Sequence, residues 1–436
     1  MTSPSAAAAP SAPYVPGAGS GEDGATRARK ARRGDWAVWW REIDRVLLVL
    51  ILFLMGIGTL AVAAGSPAAV HAPAMARKGF GDLHFFYLHL MNEGVGLAAM
   101  LACSRLNREQ ARRAGIVLGC AMLVALMLVP VVGSNINGAK RWIKLGISIQ
   151  PSEFLKPAFA ICLAWVLSWK LRDDKLPVMV ICIALTALVA LLLMLQPDFG
   201  STVLFVLVGF VMLLVAGLPM SPPMIGLSAI GGAGIVGLAY MFYGNARNRI
   251  DDFLLNLSGG GDQFDQVHLA FRTLVNGGWT GTGLWLGTAK KSLPEPHTDY
   301  IFSVIGEEFG LLMCGVVVVL YFAIVARVLI RLAQEEDLFT VLAGTGLVAQ
   351  IGGQAFINIL VNLQLFPSKG MTLPLISYGG SSTIALCIGV GFLLAITRRN
   401  PYLAHDPFAP RAGLPLNLVS PFSAKPLKSP PSTPTK

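Results

Sequence analysis

The chain has 436 residues, of which 54% are hydrophobic and only 13% charged, against about 25% charged in a soluble globular domain. That deficit argues against a water-soluble enzyme and fits a chain whose solvent is largely lipid. The net charge of +10 would suit nucleic acid or anionic lipid, so the positions of the charges decide its meaning.

A hydrocarbon core of roughly 30 Å takes about 20 helical residues to cross. Residues 1–42 precede the first such run and read as a disordered, basic, Ala/Pro/Ser-rich tail, too long for the leader of a cleavable signal peptide. Apolar runs then follow at 46–65, 84–103, 114–133, 154–170, 177–195, 201–218, 224–243, 300–326, 338–362 and 376–397. The predicted fold is an all-α polytopic membrane protein of ten transmembrane helices, occupying 43–399. Residues 400–436 carry nine prolines and no periodicity, a second disordered tail. Such tails are solvated chain beside an anionic leaflet, or docking sites for cytoplasmic partners. The six cysteines all lie in apolar runs without metal or disulfide spacing and read as small buried hydrophobes.

Orientation follows the Lys and Arg bias. With the N-terminus inside, segments facing the cytoplasm hold 22 of 34 basic residues, and an even number of crossings puts the C-terminus inside too. The positive charge is thus mainly a topology signal, and nucleic acid is not an expected partner. The largest outer loop, about 244–299, joins the seventh and eighth spans.

Nine basic residues nonetheless sit on the outer side, among them Lys140, Arg141, Arg249, Arg272, Lys290 and Lys369. Lys and Arg at loop bases hold phosphate oxygens, although interfacial snorkelling accounts for any one of them. The eighth span opens on Asp299 and carries Glu307 and Glu308 two turns deeper. An acid near the centre of a membrane helix costs about 2.5–3.5 kcal/mol on insertion scales, so such residues invite a functional reading. On a continuous helix Asp299 and Glu307 share a flank and Glu308 faces elsewhere. Glu307 and Glu308 also read as packing partners. Lys156, one turn from Ser152 and Glu153, reads as a structural partner more than a ligand. His297 reads as a hydrogen-bonding loop residue, with no second histidine at metal spacing. Gly259–Gly261, Gly277, Gly278, Gly281, Gly283 and Gly287 make turns or let the long loop open and close.

Five motifs occur in order. They are Lys140-Arg141-Trp142-Ile143; Gln150-Pro151-Ser152-Glu153-Phe154 with Lys156; Gln196-Pro197-Asp198-Phe199-Gly200; Leu293-Pro294-Glu295-Pro296-His297-Thr298-Asp299-Tyr300 running on to Gly306-Glu307-Glu308-Phe309-Gly310; and Ile376-Ser377-Tyr378-Gly379-Gly380-Ser381-Ser382. Together they resemble the SEDS family (shape, elongation, division and sporulation) over about 43–399. The segment Pro367-Ser368-Lys369-Gly370-Met371-Thr372-Leu373-Pro374 resembles its division branch. The resemblance implies a peptidoglycan glycosyltransferase of the bacterial cytoplasmic membrane and division septum. Such an enzyme polymerises lipid II into a growing glycan strand at the outer face. It works beside a class B penicillin-binding transpeptidase and other divisome membrane proteins.

In that chemistry the 4-hydroxyl of an acceptor GlcNAc attacks the anomeric carbon of a donor MurNAc, and undecaprenyl pyrophosphate leaves with inversion. Asp299 is the expected base. Lys140, Arg141, Trp142, Arg249, Arg272, Lys290, Glu295, His297, Lys369, Ser377 and Tyr378 are expected to bind substrate. Glu153, Lys156, Asp198 and Glu307 are expected to support them. No cofactor is certain and no metal ligands are assigned, although Mg2+ or Mn2+ could share the pyrophosphate charge. Two rival classes stand beside this reading: a lipid II flippase or transporter, and a non-catalytic scaffold for the transpeptidase. The concentration of polar residues toward the outer half favours the enzyme. Reporter fusions check the topology: insertions within 260–290 are expected to read outside and fusions at 108 and 420 inside, and an inside reading for the long loop would remove the active-site argument.

Overall fold

The structure, a computed structural model, describes residues 36–72, 75, 77–136, 139–145, 147–171, 176–217, 266–367 and 370–399, with isolated positions between 217 and 266. The unit discussed here ends at Arg398. Residues 1–35 and 400–436 of the two tails, most of the predicted span 224–243, Gly259–Gly261, Arg249 and Lys369 lie outside the described residues. Residues 36–41, expected within the disordered tail, are helical, with Trp39 buried and bonded to Ser104.

Helices occupy the other predicted runs: α1 (Arg45–Val70), α2 (His84–Ser104), α3 (Arg108–Val132), α4 (Pro151–Ser168), α5 (Val178–Met194), α6 (Phe199–Val215), α8 (Ile301–Leu332), α9 (Leu338–Asn362) and α10 (Gly380–Ile396). Of these, α1, α2, α3, α8 and α9 are long and apolar enough to cross a membrane. Their starts follow local chemistry. Asp44 caps α1 by accepting from the Val46 and Leu47 amides, Asn107 and Gln110 form a reciprocal capping box on α3, and Pro151 opens α4 at a position where its missing N–H costs nothing.

Three features depart from the all-helical expectation. First, the stretch before α4 is a three-stranded antiparallel sheet of β1 (Ser134–Ile136), β2 (Ala139–Leu145) and β3 (Ile147–Ile149). The motif Lys140-Arg141-Trp142-Ile143 is therefore strand, not open loop. Second, the outer loop contains α7 (Gln266–Asn276), which buries Val267, Ala270, Thr273 and Leu274 along one face. Third, α8 is broken at Gly310, whose φ of 84° and ψ of 171° are not helical. Cys120 also departs from expectation, since it is exposed.

The end of the bundle holding the α1 N-terminus is laced by ion pairs among residues that counted toward orientation. Asp44, almost fully buried, bonds Arg327 and Arg331 from the far end of α8. Arg398 bonds Glu42, and Arg108 bonds Glu335. These pairs join the ends of α1, α3, α8, α9 and α10, so part of the positive charge is structural as well as topological.

Candidate active site

The break in α8 determines what surrounds Asp299. A helix interrupted at Gly310 leaves backbone groups on both sides without their helical partners, a heavy penalty in hydrocarbon. The loop after α7 supplies replacements. Thr282 N and Gly283 N donate to the carbonyls of Glu307 and Glu308, while Leu311 N and Leu312 N donate to the carbonyls of Gly278 and Trp279. The approach is close enough that a Cβ on Gly310 would lie 2.3 Å from the Trp279 carbonyl, and one on Gly281 would lie 2.2 Å from that of Glu308. Both glycines also have positive φ, so no other residue fits either place without strain.

The acids beside the break grip the same loop. The Glu307 carboxylate accepts from Asn276 Nδ2 at 2.9 Å, Ala289 N at 2.7 Å and Lys290 N at 2.9 Å. Glu308 accepts from Trp285 N, from Gly287 N at 3.3 Å and from the Lys290 ammonium. Lys290 Nζ donates also to the Ala64 carbonyl of α1, 3.0 Å away. All three charged side chains are buried. Glu307 and Glu308, expected on different faces, therefore both meet the same loop. Asp299 precedes the first residue of α8, so helical angles do not carry back to it, and the loop wraps far enough to meet both glutamates. The glycines of this stretch pin the loop to the helix.

Asp299 itself is half-buried at the mouth of α8, where the positive end of the helix dipole favours an anion. Its backbone carbonyl accepts from Asn358 Nδ2 at 3.0 Å and Asn362 Nδ2 at 3.4 Å on α9. Its Oδ2 lies 3.5 Å from where a Cβ on Gly370 would sit. Two residues back, His297 is buried against Phe85 and Tyr378 with ring centroids 4.1 and 5.4 Å away, and its carbonyl accepts from Tyr378 N. Burial pushes the His297 pKa down to about 4, so its ring is neutral at pH 7 and offers a hydrogen bond, not a charge. Burial also raises the Tyr378 phenol.

The other expected residues separate into groups. Arg141 turns back onto the bend between α5 and α6. It bonds the carbonyls of Gln196 and Pro197 and lies 3.8 Å from Asp198, which caps α6. Lys140 is exposed and Trp142 half-buried on the same strand. Glu153 and Lys156 form a buried pair at 2.7 Å. Ser377 is buried and accepts from Leu373 N. Arg272 and Lys291 are exposed, as is Glu295, which holds Thr298 through its carbonyl and carboxylate. Lys290 uses its charge within the fold, and Lys291 is the solvent-facing member of that pair. Sequence reasoning passed over Asn276, Gln354, Asn358 and Asn362, although the last three share one helical spacing.

The sequence profile of a family of cell cycle proteins, named for FtsW, RodA and SpoVE, matches residues 45–402. The chain belongs to the FtsW/RodA/SpoVE family. A probable peptidoglycan glycosyltransferase FtsW of Caulobacter vibrioides is 35% identical over 368 residues, 84% of this chain and 91% of that protein. The protein of the same description from Methylococcus capsulatus is 36% identical over 387 residues, 85% of this chain and 94% of that one. Among solved structures, a chain from a peptidoglycan synthase complex that coordinates polymerization and crosslinking matches with a TM-score of 0.66 and 28% identity, covering 81% of this chain and 97% of that one. The FtsW/RodA/SpoVE match takes in the whole site: the Glu307–Glu308 grip, Asp299 and the amides of α9.

If Lys290 serves the fold, Glu308→Gln and Lys290→Met each lower thermal stability in detergent, since breaking a buried ion pair costs about 3–5 kcal/mol. The double variant is expected to lose less than the sum. A Lys290→Met protein that melts like the parent but cannot polymerise lipid II would instead make Lys290 a substrate ligand.

Proposed function

We propose that this protein is a peptidoglycan glycosyltransferase that polymerises lipid II for septal wall synthesis, with Asp299 as the general base. The observation that carries the reading is the placement of Asp299. Its carboxylate is half-buried at the mouth of α8, against the backbone of Gly370, with its own backbone held by two amides. A base so fixed takes the proton of the acceptor 4-hydroxyl as that oxygen attacks the donor anomeric carbon, and undecaprenyl pyrophosphate departs. Pyrophosphate is already a good leaving group, so the remaining task is to balance its charge. Lys140 and Arg272, exposed and cationic, are the described candidates for that, with Arg249 and Lys369 beside them from the sequence. Among the described residues no three His, Cys, Asp or Glu converge on a point. Mg2+ or Mn2+, both suited to oxygen ligands, could share the pyrophosphate charge.

The topology that suits this chemistry has ten spans, both termini in the cytoplasm and the 244–299 loop outside. The tails 1–42 and 400–436 flank, in the sequence, a transferase domain of 43–399, in the cytoplasmic membrane at the septum. The partners are a class B penicillin-binding transpeptidase and other divisome membrane proteins. Descriptions of the relatives support the activity, and the coupled polymerization and crosslinking of the matched complex supports the partner.

Asp299→Asn tests the base. Asn keeps the shape and hydrogen bonding but takes no proton at neutral pH. Polymerisation of labelled lipid II by the complex with the transpeptidase is expected to fall by at least about 100-fold, with the complex intact. Near-normal glycan ladders would refute the base, and normal division by such cells would favour the scaffold.

A further inference from the structure

α9 is apolar enough to cross a membrane, yet it carries amides at every fourth position from Gln350 through Gln354 and Asn358 to Asn362. Four-residue spacing keeps them in one stripe, and all four are buried. A buried amide is costly unless its donors and acceptor are used, so their partners reveal what the stripe does. Gln354 accepts from Lys156 Nζ at 3.1 Å and donates to the Thr372 carbonyl at 2.9 Å. Asn358 gives its two N–H bonds to two different segments: the Asp299 carbonyl at 3.0 Å and the Met371 carbonyl at 2.7 Å.

We propose that Asn358 is a positioning residue for the Asp299 site, its one amide group setting how far the turn bearing Asp299 stands from the 370–372 segment. The inference rests on the reading of Asp299 as the base. An amide NH2 is planar with its two N–H bonds about 120° apart, so two carbonyls bound to it cannot drift independently. The segment on the other arm includes Gly370, which faces Asp299 Oδ2, and directly follows Lys369 in the chain. Asn358 thereby couples the base to the loop that presents a candidate pyrophosphate cation.

Which end of Asn358 points toward the site is itself determined. Asn362 Nδ2 donates to Asn358 Oδ1 at 3.2 Å and to its carbonyl at 2.9 Å. The acceptor end of Asn358 is thus occupied from behind, and the donor end faces Asp299 and Met371. Asn362 is oriented in turn by Ser303, whose hydroxyl donates to Asn362 Oδ1 at 2.7 Å. Ser303 lies in the first turn of α8, just after Asp299, so the relay closes on the element it positions.

The test uses the full-length protein with its class B transpeptidase, in lipid II titrations of glycan formation corrected for folded protein by fluorescence-detected gel filtration. Asn358→Leu removes both donors at similar volume. It is expected to lower kcat by about 10- to 100-fold, the scale of a misplacement near 1 Å, and to leave KM for lipid II unchanged. Gln350→Leu, in the same stripe but touching neither segment, is expected to leave kcat and KM as they are. If Asn358→Leu yields no folded protein, Asn362→Leu decides: it leaves the Asn358 amide in place but removes the group that orients it, together with a longer second bond to the Asp299 carbonyl, so kcat falls while KM holds. Parental kcat in a folded Asn358→Leu protein, or in Asn362→Leu where the first does not fold, overturns the proposal. So does a raised KM with kcat intact, which would make Asn358 a binding contact. Asp299→Asn, run alongside, separates the two readings. If it is inactive while Asn358→Leu is normal, only the positioning role fails; if it is active, the base assignment itself fails.

Discussion

Hydrocarbon offers a backbone N–H or C=O no partner, and α8 of this protein opens its helical hydrogen-bond ladder at Gly310, within the first third of an element long and apolar enough to cross a membrane. The structure depends on how that debt of hydrogen bonds is met. The loop after α7 meets it with four backbone bonds across the gap at Gly310. Because the loop must come within backbone contact of the helix, glycine is required on both sides, at Gly281 and Gly310. The same docking carries the chain from Lys290 to the mouth of α8, and so locates Asp299.

Electrostatics reinforces this geometry. Two carboxylates and one ammonium without solvent would be prohibitive if left bare, but Glu307 and Glu308 together receive backbone donors from Trp285, Gly287, Ala289 and Lys290, the Asn276 amide and the Lys290 charge. The outcome divides the acids by burial. Glu307 and Glu308 are fully buried and hold the loop, whereas Asp299 is half-buried at the mouth of α8. A similar division separates the bases, with Arg141 and Lys290 built into the fold and Lys140, Arg272 and Lys291 left exposed.

Much of the helical framework was legible because a run of about 20 apolar residues has one cheap solution in lipid. Asp299 stands out in the sequence because an acid at the edge of such a run needs a reason. Features smaller than the averaging window do not. β2 hides in a polar stretch, although Asn137-Gly138 before it is a strong hairpin signal. α7 hides in a loop read by its charge, although Val267, Ala270 and Leu274 repeat at helical spacing. Glu308, expected to face away from Glu307, meets the same loop because that loop wraps far enough around α8 to reach both. The amides of α9 lower its mean hydropathy to 1.3, against 2.7 for α8, but leave it apolar enough to read as a span. Their spacing, not their number, was the available signal.

Hydrogen–deuterium exchange of the full-length protein in lipid nanodiscs tests the loop-to-helix lock most directly, because exchange reports the opening free energy of individual amides. Peptides containing the amides of Thr282, Gly283, Leu311 and Leu312 are predicted to exchange as slowly as the core of α9, with and without lipid II. Rapid exchange across 278–283 and at 311–312, while α9 stays protected, would show the loop opening freely and would contradict the account.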